Sequence, residues 1–97
     1  KTIDDVFKVL KLKPKIRRIM WSRRAQEYDS KIHSGDPIKI SEVIRDLFRK
    51  SNQPEQSYSE RQMFQVALER LAREVAAVEK TDYFQATEKI EKTLYNK

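Results

Sequence analysis

Gly35 is the only glycine among the 97 residues of this chain, and Asp36 and Pro37 follow it directly. Glycine tolerates the left-handed backbone that stops a helix, aspartate caps the next one, and proline carries the φ of a first helical residue. The tripeptide therefore predicts one helix ending and another beginning with almost nothing between them. One glycine and three prolines also leave too few turn residues for a β-rich fold. A charged content of 37% suits amphipathic helices with solvated outer faces.

The apolar spacing agrees on both sides of that turn. Upstream, Trp21, Ala25, Tyr28 and Ile32 form a line at helical spacing, which predicts a helix from Trp21 or Ser22 to Ser34 with Ser22 as a candidate N-cap. Downstream, a helix over roughly Pro37 to Ser51 would bury Ile40, Val43, Ile44, Leu47 and Phe48 while Arg45, Arg49 and Lys50 project from other faces. Earlier in the chain, Ile3, Val6, Phe7 and Leu10 mark a short helix over Thr2 to Leu10, with Asp4 and Asp5 near its positive end. Pro14 disfavours helix at Lys13, so Lys11 to Lys15 reads as an extended connector.

Ser51 to Tyr58 reads as a polar loop around Pro54. Ser57 and Glu60 have the spacing of a capping box, which opens the fourth and longest helix. Its predicted seam is Phe64, Leu68, Leu71, Val75 and Val78, with Glu69 and Arg73 as a surface pair. Thr81 or Asp82 would cap a fifth helix carrying Tyr83, Phe84, Ala86, Ile90 and Leu94. The expectation is an all-α, compact bundle of about five helices, a single domain over 1–97. Within it, 16–97 form the helical core, and 1–15 are a short helix and connector, which could also mark a domain boundary.

Composition removes several classes of function. Without cysteine there are no disulfides, thiolate metal sites or cysteine nucleophiles. No apolar run approaches the roughly 20 residues of a membrane span, and no signal-peptide pattern is present. A glycine-rich phosphate loop is impossible, and no serine has a nucleophile-elbow context. The lone histidine, His33, falls in the last turn before Gly35, where an imidazole favourably faces the carbonyl end. Zinc would need three or four ligands. The chain therefore reads as a non-enzyme without cofactor or metal.

Charge is distributed unevenly. Val6 to Gln26 holds eight lysines and arginines and no acid; of 21 basic and 15 acidic side chains, that leaves 13 − 15 = −2 for everything outside. Within the window the only tryptophan, Trp21, stands between Arg17 and Arg18 on one side and Arg23 and Arg24 on the other. Four arginines so close together repel one another unless an anion is bound, which favours phosphate contact. Scattered lysines such as Lys8, Lys11 and Lys13 equally well confer solubility alone. Taken by itself, Trp21 heads an apolar line and favours a core or staple role, although a residue at a helix start can point past the domain edge. Two binding functions fit the patch: nucleic acid, or an acidic partner protein anchored by Trp and Arg.

The tetrapeptide Trp21-Ser22-Arg23-Arg24 resembles the C-terminal helical domain of the CarD/CdnL family of bacterial transcription regulators. The similarity extends through Asp5-Val6-Phe7-Lys8-Val9-Leu10 before it. After it come Ser34-Gly35-Asp36, the block from Ser41-Glu42-Val43 to Phe48-Arg49-Lys50, and Ser59-Glu60-Arg61-Gln62-Met63. Together these blocks span nearly the whole chain. The resemblance implies a two-domain, monomeric, cytoplasmic and nucleoid-associated protein without cofactor. A Tudor-like N-terminal domain would bind the RNA polymerase β subunit. This domain would contact the minor groove of promoter DNA at the upstream edge of the transcription bubble, with little sequence preference, and stabilise the open complex. Trp21 would be the wedge, with Arg23, Arg24 and Arg61 on the same DNA-binding surface, to which the charge reading adds Arg17 and Arg18. Where the family often carries a base two positions after the second arginine, this chain has Gln26.

Overall fold

A computed structural model describes residues 3–12, 21–48 and 58–95. It contains helices α1 (Ile3–Lys11), α2 (Trp21–His33), α3 (Pro37–Leu47), α4 (Tyr58–Glu79) and α5 (Tyr83–Tyr95). Among the described residues there is no strand, and no helix is long and apolar enough to cross a membrane. The all-α expectation holds. The expected connector Lys11 to Lys15 starts too early, because Lys11 is still the last residue of α1; its residues 13–15, the Ser57 cap, Arg49 and Lys50 lie outside the described residues.

The turn between α2 and α3 is built as its residues predict. Gly35 has φ +75°, and the Asp36 side chain accepts a 2.9 Å hydrogen bond from the Ile38 amide. Pro37 is the first helical residue. Just upstream, the His33 Nδ1–H donates to the Asp29 carbonyl at 2.8 Å, so the imidazole satisfies an acceptor in the last turn of α2. The α2 N-terminus differs from the expected cap, because the helix already includes Trp21 and Ser22 sits inside its first turn.

Helix α3 is the centre of the bundle, packed against α1, α2 and α4. Val43, Ile44 and Leu47 are fully buried, and with Val6 and Leu10 of α1, Leu71 and Val75 of α4, and Ile90 and Leu94 of α5 they form the core. Enclosure by three helices corrects one expectation. Arg45 does not project outward: it is 4% exposed, and its Nε donates to the Asp46 carboxylate at 2.9 Å. A helix covered on most of its circumference has no solvent face for a charge, so the charge is paired where it lies.

Helix α3 also stops earlier than expected. Phe48 leaves the helix with φ −64° and ψ 138°, although its amide still donates to the Ile44 carbonyl at 3.0 Å. That departure turns its ring toward two other helices. It lies 6.3 Å from the ring of Phe64 in α4 and meets Tyr95 of α5 edge-on at 5.0 Å.

The seam of α4 holds at Leu68, Leu71 and Val75, with Phe64 packed against the core, but fails at Val78, which is 56% exposed. In the last two turns the inward line runs through Ala72 and Val75 to the half-buried Ala76 and Glu79, which rotates Val78 outward. Lys80 then adopts φ +56°, and the Thr81 amide closes the helix by donating to the Ala76 carbonyl at 3.0 Å. Asp82 caps α5 by accepting from the Gln85 amide at 2.8 Å. Ala86, Ile90 and Leu94 face inward, whereas Tyr83 is exposed and Phe84 is 81% exposed. Lys89 ties three helices together: its ammonium donates to Glu79 at 2.7 Å and lies 4.8 Å above the Phe7 ring.

Candidate nucleic-acid interface

Trp21 opens α2, and Arg24 and Tyr28 follow at intervals of three and four, which places all three on one face of the helix. Tyr28 is 5% exposed and Trp21 is half-buried, packed against the edge of the core. Their ring centroids are 6.3 Å apart with the planes tilted by 51°. The tryptophan is thus neither a fully sequestered core residue nor a free-standing one. Part of it packs against the bundle and part remains exposed.

The guanidinium of Arg24 lies 5.5 Å from the Trp21 ring centroid and 5.7 Å from that of Tyr28. Cation–π contacts of this kind contribute about 0.5–1 kcal/mol each when exposed and up to about 2 when desolvated. A long 3.4 Å hydrogen bond from Arg24 Nη2 to the Tyr28 hydroxyl adds a weak directional contact. The Arg24 Nε is buried without a hydrogen-bond partner among the described residues, which show the arginine against ring faces rather than a carboxylate. Among the described residues no carboxylate pairs with it, and the patch keeps its positive sign.

Arg23, by contrast, is exposed, and no acidic residue occupies the first turn of α2. Arg61 is exposed in the first turn of α4, a helix that packs against α2. Of the expected site residues, Trp21 and Arg24 are therefore brought into direct contact, while Arg23 and Arg61 stand in solvent away from the ring. Arg17 and Arg18 lie outside the described residues.

Tyr28 was legible only as a member of an apolar line. Its spacing of seven from Trp21 and four from Arg24 was the available signal that it also supports the site. Among the described residues no three His, Cys, Asp or Glu side chains come together as metal ligands. What this surface can do chemically is bind: a flat, partly exposed aromatic ring flanked by cations suits a base step and its phosphates.

The family model described as CarD, C-terminal domain, matches residues 5–91 of the chain. The matched span includes all five helices in part or whole, the Trp21–Arg24–Tyr28 cluster and the Gly35 turn.

Proposed function

The chain belongs to the CarD C-terminal domain family, which associates it with transcription, and from that premise we propose that it contacts promoter DNA at the upstream edge of the transcription bubble. The exposed part of Trp21 enters the minor groove at the junction between duplex and melted DNA. Arg23 and Arg61, together with Arg17, Arg18 and Arg24, hold the flanking phosphates, and the bound domain slows collapse of the open complex. No bond is made or broken.

The observation that carries this reading is the half-buried Trp21 at the acid-free start of α2, beside the stacked Arg24. A side chain that unstacks a base step has to be rigid at its base and apolar at its tip, and cations alongside it have to remain available to phosphate. Such contacts read groove shape and deformability rather than base edges, so little sequence preference is expected. Engagement of the RNA polymerase β subunit is assigned to a Tudor-like N-terminal domain in the longer protein, as the likeness of the sequence blocks implies.

Trp21 is the sole tryptophan, so its emission reports on this site alone. Adding a duplex–bubble junction is expected to change that emission more than adding the same sequence fully paired. Emission indifferent to both would overturn the reading and leave an acidic protein as the partner of the surface. In the full-length protein, Trp21→Ala is expected to shorten open-complex lifetime while polymerase binding persists.

A further inference from the structure

On the proposed DNA interface, the two arginines of the Trp21-Ser22-Arg23-Arg24 run do not occupy equivalent places. Arg23 is exposed. Arg24 is half-buried, with its guanidinium over two rings and its Nε enclosed and unpartnered. A guanidinium stacked in this way has fewer donors free for a phosphate than one in open solvent. The residue behind it, Tyr28, is buried and fixed by the core, and it contacts Arg24 through both its ring and its hydroxyl.

We infer that Tyr28 is a positioning residue, which clamps Arg24 against Trp21 and so sets the angle and rigidity of the tryptophan, while Arg23, of the two arginines, makes the fuller phosphate contact. The assignment rests on the DNA reading of Trp21, but its first observable is a property of the free chain. A ring anchored at one edge of a small bundle has rotamers to lose on binding, and each immobilised side chain lowers affinity when the ordering happens at that moment. The Tyr28–Arg24 stack restricts those rotamers before DNA arrives. The hydroxyl contact is long, at 3.4 Å, so the ring face rather than the hydroxyl dominates the clamp.

The test uses this chain as wild type and as Tyr28→Phe, Tyr28→Leu and Arg24→Met. Trp21 anisotropy and acrylamide quenching are read without DNA, and affinity is then read for a duplex–bubble junction and for plain duplex. Tyr28→Phe keeps the ring and is expected to match wild type throughout. Tyr28→Leu and Arg24→Met are expected to raise the quenching constant about twofold and lower anisotropy, because the ring loses restraint. Both should lower the junction-to-duplex affinity ratio several-fold, a change that a merely structural role would not produce in a variant with unchanged helix content.

If Tyr28→Leu does not fold, Arg24→Met decides alone, since the arginine lies outside the core. Unchanged quenching and an unchanged affinity ratio in a folded variant would overturn the clamp. A wild-type chain whose emission ignores DNA would instead overturn the DNA reading, and the quenching comparison in free solution would still decide whether Tyr28 and Arg24 restrain Trp21.

Discussion

Arg45 and Asp46 are sequence neighbours in α3 whose side chains, 4% and 6% exposed, meet at 2.9 Å beside the apolar core. Neighbouring residues on a helix point about 100° apart, so the pair closes by the arginine reaching around the helix to the carboxylate. Both charges have been taken out of water, and the contact offsets part of that cost for each.

Removing the Asp46 charge leaves the Arg45 guanidinium buried without its carboxylate. Asp46→Asn is expected to cost about 3–5 kcal/mol, as measured by urea denaturation, and Arg45→Met less. The double variant should cost less than the sum of the singles, which a double-mutant cycle reads directly. Additivity of the two would show the pair to be energetically idle.

Two left-handed residues respond oppositely to exchange of glycine. Gly35→Ala meets no steric obstacle, since nothing lies within 4 Å of an added Cβ at φ +75°, yet the backbone strain itself costs about 1–2 kcal/mol. Lys80 already bears that strain at φ +56°. Lys80→Gly should therefore raise stability by up to about 1 kcal/mol, and with it the melting temperature by about 4–8 °C for a domain of this size.

Trp21→Ala should cost about 1–2 kcal/mol, below the ~3–5 kcal/mol of a fully buried aromatic, because part of the ring remains exposed. Denaturation followed by far-ultraviolet circular dichroism checks this, since the variant has lost its fluorophore. A loss at the upper figure would mark the residue as core and leave little ring to insert.

Salt dependence separates phosphate contacts from the rest of the interface. Neutralising about four to six phosphates gives a log–log slope of about −4 to −5 for duplex binding. Arg23→Gln should reduce the magnitude of that slope by about one while leaving the melting temperature unchanged, as an exposed side chain without a structural partner. A wild-type slope near zero would rule out the basic patch as a phosphate surface.

The elements of this fold were readable where one short signal acts on its own residues. Gly35, Asp36 and Pro37 specify their turn by backbone conformation, a capping carboxylate and a fixed φ, and none needs a distant neighbour. The likeness of the sequence blocks to the CarD C-terminal domain was legible too, and the match over residues 5–91 agrees with it. What escaped depends on how many neighbours a helix has. The amphipathic pattern of α3 implies one wet face, but three packed helices leave little of it, and Arg45 is buried. At Val78 the inward line shifts by one residue near the helix end, a rotation too small for spacing to reveal. The stack of Arg24 between Trp21 and Tyr28 escaped for another reason: a line of apolar residues shows which side chains share a face, not which cation folds down over them.

The sharp turn at Gly35 sets the direction in which α2 runs to its far end. Thirteen residues of helix make an arm of about 20 Å, so a change of about 10° at the turn carries the start of the helix roughly 3 Å sideways. The Lys31–Glu42 ion pair, closed at 3.1 Å just either side of the turn, braces the short end of that arm. Substitutions at the turn should therefore disturb the aim of Trp21 without touching it, and loosening this brace should broaden the tryptophan's range before it weakens the bundle.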